Sequence, residues 1–252
     1  MDSKLLRLYQ PLNAYSYNSD SLFLYDFLRP FIKTHDKILD VGSGCGILGL
    51  LCARDNPLAS IHLVEKDSKM AFCSQKNALK FPNTQVFEAN FLDFSPPILY
   101  DIIVCNPPFY ALGSIKSMTK GHARHQSELD FFSLVSKVKK CLKPKGYFIF
   151  CYEALSLCLV IESLKGVKLT LETLRFVQSF KDKNAHLMLG VARNNSKSAL
   201  KVLPPLITHN SKNQSDNTKE VLKIYQTCNT YSIKVPLDQG LENEMFALSI
   251  RV

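Results

Sequence analysis

Short apolar runs recur along the first two thirds of the chain, at residues 37–41, 60–64, 84–87, 101–105 and 146–151, and each is followed by a polar break. Between them, residues 47–53, 68–79, 129–142 and 155–164 repeat apolar positions at helical spacing. Ser68 reads as the N-cap of the second of these helices. Pro144-Lys145-Gly146 reads as the turn that opens the fifth strand. With a closing pair of strands at 169–179 and 186–192, the alternation predicts an α/β fold: a Rossmann-like, seven-stranded, mostly parallel sheet with helices on both faces. Ligands of such sheets bind at the carboxyl ends of the strands. Asp40, Glu65 and Asn106 all fall at such ends.

The chain divides accordingly into an N-terminal segment 1–36, a core 37–195 and an extension 196–252. In the extension, 208–218 is almost devoid of apolar residues and reads as a loop, open to being disordered. Residues 220–225 restore a short helix and 231–252 offer one or two terminal strands.

Composition narrows the class. A formal net charge of +9 over 252 residues favours a polyanionic partner such as nucleic acid, because neutralising phosphates releases counterions. The N-terminus lacks the continuous apolar stretch of a signal peptide, and the longest apolar region, 147–164, is interrupted by Glu153 and Glu162. No membrane association and a cytoplasmic location are expected. The eight cysteines form no C-x-x-C pair and read as reduced, buried residues, and no metal-ligand set is visible.

Asp40-Val41-Gly42-Ser43-Gly44-Cys45-Gly46 links the first core strand to its helix. Gly42, Gly44 and Gly46 permit positive φ and close approach of a ligand, and the helix beginning near Gly46 adds a partial positive charge. Asp40, at the strand end, suits either accepting from a ligand ammonium or orienting the loop through a bridging water. Such a turn also serves as plain chain punctuation. Its G-x-G-x-G spacing, with an acid two residues ahead, departs from the dinucleotide G-x-G-x-x-G and points to S-adenosylmethionine rather than NAD. Glu65 is the candidate acceptor for ribose hydroxyls. Asn90 is preferred over Asp93 for the edge of an adenine ring.

Asn106-Pro107-Pro108-Phe109 is the sharpest signal. An exocyclic amine conjugated to a ring is a poor nucleophile, since its lone pair is delocalised. The Asn106 side-chain oxygen and the Pro107 carbonyl could accept its two N–H groups and turn the lone pair toward an electrophile, with both prolines fixing φ. Phe109 offers a stacking face worth roughly 1–3 kcal/mol to a splayed-out base. Downstream, Lys116, Lys120, His122, Arg124 and His125 form a basic segment; Lys120 and Arg124 are the candidate phosphate contacts. The lysines from 137 onward fit an ordinary solvated helix face equally well.

These residues resemble those of class I S-adenosylmethionine-dependent methyltransferases, and more narrowly of the bacterial tRNA adenine-N6 methyltransferases acting beside the anticodon of a valine tRNA. The resemblance runs from about Gln10 to about Tyr225. It rests on the run Tyr17-Asn18-Ser19-Asp20-Ser21-Leu22-Phe23-Leu24, on the glycine turn, on Asn106 to Phe109 and on Ala123-Arg124-His125. It implies that Ser19 and Asp20 close over the cofactor, that the glycine turn cradles its methionine part, and that Asn106 with Phe109 grips the acceptor adenine of an RNA. Phe109 stands where tyrosine is commoner, Asn90 where aspartate is, and the pattern does not reach residues 228–252. Alternatives are an rRNA guanine-N2, a DNA adenine-N6 or a protein-glutamine methyltransferase, and a non-catalytic RNA-binding module on the same fold. The glutamine enzymes carry a helical domain ahead of the core, for which the roughly thirty-five residues before the first core strand are too few. Oligomeric state is open.

Overall fold

The computed structural model describes residues 4–12, 16–107, 130–213 and 215–236. An N-terminal strand β1 (Leu6–Pro11) and helix α1 (Ser19–Leu28) precede the core. The core alternates β2 (Lys37–Val41), α2 (Ile47–Asp55), β3 (Ser60–Glu65), α3 (Ser68–Ala78), β4 (Thr84–Glu88), β5 (Tyr100–Cys105), α4 (Phe131–Cys141), β6 (Leu142–Glu153), α5 (Leu157–Gly166), β7 (Leu169–Gln178) and β8 (Leu187–Asn194). Two-residue strands β9 (Lys201–Val202) and β10 (Leu206–Ile207), helix α6 (Lys219–Cys228) and β11 (Thr230–Val235) follow.

The seven expected strands lie in the order β7-β8-β6-β5-β2-β3-β4, with β8 antiparallel to both neighbours and the others parallel. The central strands β2 and β5 are buried on both faces: Ile38, Leu39, Ile102, Ile103 and Val104 are inaccessible. That is why they read as apolar runs, interrupted in β2 by Asp40. On one face Leu24, Leu28, Leu50 and Leu51 from α1 and α2 pack on Ile38 and Val104; on the other Phe131, Leu134 and Val138 from α4 pack on Leu39 and Ile103.

Several features differ from the sequence expectation. The sheet has nine strands, because β9 and β10 add to the outer edge of β7. The cap of α3 is Asp67, not Ser68: its extended backbone (φ −78°, ψ 120°) and its Oδ1, accepting from Met70 N–H, leave Ser68 as the first helical residue. β6 starts at Leu142, and its pairing with β5 shifts register between Tyr100 and Ile102, so the Pro144-Lys145-Gly146 turn lies within the strand as a bulge. The polar stretch 208–218 is ordered where described, with His209 bridging to Asn217 and Asn210 donating to Asp216 Oδ1. Polar side chains close that loop where apolar packing is lacking.

β1, which the sequence reading omitted, pairs in parallel with β11, joining the two ends of the chain. Arg54 on α2 fastens this ribbon by donating to the carbonyls of Lys4, Thr227 and Cys228. Of the terminal strands expected in 231–252, β11 accounts for the start; residues 237–252 lie outside the described residues.

Candidate active site

β2 and β5 are neighbours, and Val41 is the register partner of Cys105. The glycine turn and Asn106 therefore leave adjacent strands side by side, at strand spacing of about 4.8 Å. β3 flanks β2 on the other side, with Val41 opposite Val64, so Glu65 emerges at the same edge.

The turn is built for approach. Gly42 and Ser43 donate their N–H groups to Val64 O at 2.9 and 3.1 Å, fixing the loop to β3. Gly42 (φ 66°) and Gly44 (φ 56°) adopt left-handed backbone with no atom within 4 Å of where a Cβ would sit, so they face open space. Gly46 (φ 92°) is needed for packing as well, since a Cβ there would lie 2.9 Å from Ser74 Oγ and 3.1 Å from Leu63. It also caps α2 without a side-chain bond, leaving first-turn N–H groups for a ligand.

Asp40 is 1 % exposed. Its Oδ2 accepts from Gly49 N–H at 2.8 Å, while Oδ1 has no partner. Burial pushes its pKa up to about 7, opposed by the Gly49 amide and reinforced by the charge of Glu65. A buried acceptor lacking a donor, beside glycines that open onto space, fits a ligand carrying an ammonium. Glu65, 8 % exposed, uses Oε2 for Gly44 N–H and Oε1 for Asp67 N–H, both at 2.8 Å. Each carboxylate oxygen keeps a second lone pair for a hydroxyl. Asn90 and Asp93 are bonded to each other, Asn90 Nδ2 donating to Asp93 Oδ2 at 3.0 Å while its Oδ1 accepts from Leu92 N–H, so the two adenine candidates form one exposed turn.

Asn106 donates through Nδ2 to Ser21 Oγ at 3.0 Å. That bond turns the amide nitrogen toward α1 and leaves the carboxamide oxygen as the acceptor. Ser21, 4 % exposed, is the site residue sequence reasoning passed over. Its signal was its place next to Asp20 in the Asn18-Ser19-Asp20-Ser21 run. Asn18 caps α1 and holds Asp20 twice, through the Asp20 N–H at 3.1 Å and Asp20 Oδ2 at 2.8 Å. Burial raises the Asp20 pKa, with the Asn18 bond and nearby His186 opposing. Ser19 lies beside Tyr225 of α6, whose hydroxyl pKa is raised by burial with Ser19 opposing. Pro107 is buried behind Asn106, whereas Pro108, Phe109, Lys120 and Arg124 lie outside the described residues.

A second missed residue is Asn77 on α3. Its Nδ2 donates to Cys45 O in the glycine turn at 2.9 Å and to Tyr9 O at 3.0 Å, and its Oδ1 accepts from Tyr9 N–H at 2.8 Å. One side chain thus ties the turn to the β1–β11 ribbon. Nothing in a single helical asparagine announces this. All eight cysteines are free thiols, seven buried and Cys158 exposed. Among the described residues no group of His, Cys, Asp and Glu could hold a metal, and no helix is long and apolar enough to cross a membrane.

Two curated relatives, each named tRNA1(Val) (adenine(37)-N6)-methyltransferase, align with this chain. The protein of Dyadobacter fermentans is 32 % identical over 121 residues, covering 46 % of this chain and 50 % of the relative. That of Pedobacter heparinus is 35 % identical over 119 residues, covering 45 % and 50 %. The chain thus spans about half the length of the curated relatives it matches. Among solved structures, a predicted O-methyltransferase from Agrobacterium tumefaciens superposes with TM-score 0.64 at 18 % identity, covering 86 % of this chain and all of that one. TrmN from Thermus thermophilus gives TM-score 0.53 at 18 % identity, covering 69 % and 48 %. At these identities the likeness is one of fold. Residues 18–154, more than half of the chain, match the family model described as Methyltransferase small domain, and the chain belongs to that family.

Proposed function

We propose that the chain transfers the methyl group of S-adenosylmethionine to N6 of an adenine in RNA, a tRNA adenine beside the anticodon, and that it works in the cytoplasm. The observation that carries the reading is the emergence of Asn106 and the glycine turn from paired strands at one edge of the sheet. The activity for which the relatives are named supports the choice of adenine and tRNA.

S-adenosylmethionine supplies, when bound, an activated sulfonium methyl. The Gly42–Gly46 turn and Asp40 would hold its methionine part, Glu65 its ribose, and the Asn90–Asp93 turn its adenine. Residues 1–36 would cover the cofactor, 37–195 form the catalytic core and 196–252 brace it. Asn106 Oδ1 accepts one N–H of the target amine and the Pro107 carbonyl the other, which turns the lone pair out of conjugation. Ser21 pre-sets that carboxamide, so little reorganisation is left for the transition state. Alignment of amine and methyl supplies much of the remaining acceleration. No general base is required, because the amine sheds its proton after transfer. Phe109, Lys120 and Arg124 would stack the flipped base and hold its phosphates.

Nucleoside analysis of tRNA from cells with and without the gene tests the reading. Loss of N6-methyladenosine from one tRNA species is the expected result. Unchanged tRNA, with a guanine-N2 methyl missing from rRNA instead, would overturn it.

A further inference from the structure

At the amino edge of the parallel strands, opposite Asn106 and the glycine turn, the start of β7, the end of β8 and the end of α5 flank an open surface cleft of about 350 Å3. Lys165, Lys168 and Lys197 line it, with Thr170, Asn195 and Ser196 between them. Its apolar member, Leu169, is 2 % exposed, so the wall mixes polar groups with the carbon atoms of polar side chains. More cations adjoin. Lys139 Nζ donates to Lys168 O at 3.3 Å and to Asn194 Oδ1, and Arg193 Nε donates to Lys145 O. The carboxylates nearby are already engaged: Asp101 with Lys143 at 2.7 Å, and Glu172 with Arg193 at 3.7 Å and with Ser196. Among the described residues no carboxylate lies within ion-pair reach of Lys165, Lys168 or Lys197. Lys139, desolvated and repelled by Lys168, has its pKa lowered.

The backbone of this edge adds an independent mark. Among the described residues four non-glycine positions adopt positive φ, and three of them, Lys145 (63°), Lys168 (60°) and Asn195 (56°), lie here. A lysine in left-handed backbone costs about 1–2 kcal/mol and lacks the short polar side chain that lets asparagine bond locally. Strain of this kind persists where surrounding structure imposes it and gathers at functional sites.

We infer that this cleft is a second RNA contact, binding phosphates of the substrate at a distance from the methylated base. The inference rests on the RNA reading above. A sheet six residues deep separates the two edges by about 20 Å, so an RNA that reaches both must extend at least that far from the methylated base. The lysines and Asn195 suit phosphate oxygens, while the Thr170 and Ser196 hydroxyls brace the cleft by donating to Ser196 O and Glu172 Oε1.

The test is the triple variant Lys165→Gln, Lys168→Asn, Lys197→Gln, in which asparagine keeps the left-handed backbone. Unmethylated tRNA binding should weaken by about tenfold near 0.15 M salt, with a log–log salt slope shallower by about 2–3. KM for full-length tRNA should rise while kcat and KM for S-adenosylmethionine stay unchanged. Wild-type tRNA affinity and salt slope in the variant would overturn the inference, as would loss of binding to phosphatidylglycerol vesicles with tRNA binding intact. Filter binding reads affinity without turnover. A protein that binds tRNA through these lysines yet methylates none would therefore overturn the catalytic reading alone.

Discussion

The two edges of the sheet bend their backbones by opposite means. At the carboxyl edge the left-handed positions are Gly42, Gly44 and Gly46; at the amino edge they are Lys145, Lys168 and Asn195. Gly42 and Gly44 have nothing within 4 Å of a hypothetical Cβ, so what they offer is bare N–H and unobstructed approach. The lysines keep long cationic side chains in the same conformation at an energetic cost. The first edge is shaped to admit a small ligand close to the main chain, the second to project charge. A small cofactor needs contact distances of about 3 Å, whereas a polyanion is attracted over distances up to a Debye length of about 8 Å, so only the first edge demands glycine.

The largest test of the contrast removes the group that makes the carboxyl edge catalytic. Asn106→Ala is expected to lower kcat by about 10²–10³, comparable to deleting one preorganised polar group from a transition-state site, while filter binding of tRNA stays within about twofold. Ser21→Ala should lower kcat by about tenfold, since the carboxamide remains but its nitrogen loses its anchor. Equal losses in tRNA binding for either variant would move Asn106 from chemistry to docking.

Next in size is a difference within the glycine turn. Gly46→Ala combines a φ of 92° with Ser74 Oγ at 2.9 Å and Leu50 at 3.0 Å, so urea unfolding should reveal a loss of about 2–3 kcal/mol. Gly42→Ala and Gly44→Ala meet only backbone strain, about 1 kcal/mol each. If all three cost the same, steric packing is not what distinguishes Gly46.

Asp40 supplies a pH test confined to the same edge. Its folded-state pKa, near 7, lies above the unfolded value, so the stability associated with its protonated form is full below pH 4 and is lost as pH rises through about 7. A cationic ligand favours the ionised form. Calorimetric affinity for S-adenosylmethionine should therefore strengthen by up to tenfold per pH unit below 7 and level off above it. Asp40→Asn should flatten this profile, and an unchanged slope in that variant would assign the titration to another group.

What could be read from the sequence follows from how local each cause is. β2 and β5 were legible because burial on both faces leaves mostly apolar runs, and the turn because glycine is required where φ is positive. β1 was not: its six residues, Leu-Arg-Leu-Tyr-Gln-Pro, gain their role by pairing with β11, whose residues come more than two hundred positions later. The Ser21–Asn106 bond spans 85 positions, and Asn77 reaches two segments at once, 32 and 68 positions away. A polar side chain whose partners are set by tertiary packing carries no periodicity to detect. The lysines after 137 looked alike in sequence and separate only in space, where Lys143 finds Asp101 while Lys165 and Lys168 face the cleft.

The smallest predicted effect bears most directly on the contrast between edges. Lys168 ends the α5–β7 turn at φ 60°, exposed, and its N–H bonds back to Lys165 O. Glycine at that position relieves the Cβ clash of left-handed backbone but gives the unfolded chain more freedom, so the net gain should be only about 0.5–1 kcal/mol, read as a higher urea midpoint with unchanged m. The same substitution removes a cation and should weaken tRNA binding about twofold to threefold. Stability and affinity then move in opposite directions from one residue, the signature of a site held under strain for its charge. Were Lys168→Gly neutral in stability, the strain would be absent. A gain in stability with tRNA affinity untouched would leave this edge a tight turn that happens to carry lysine.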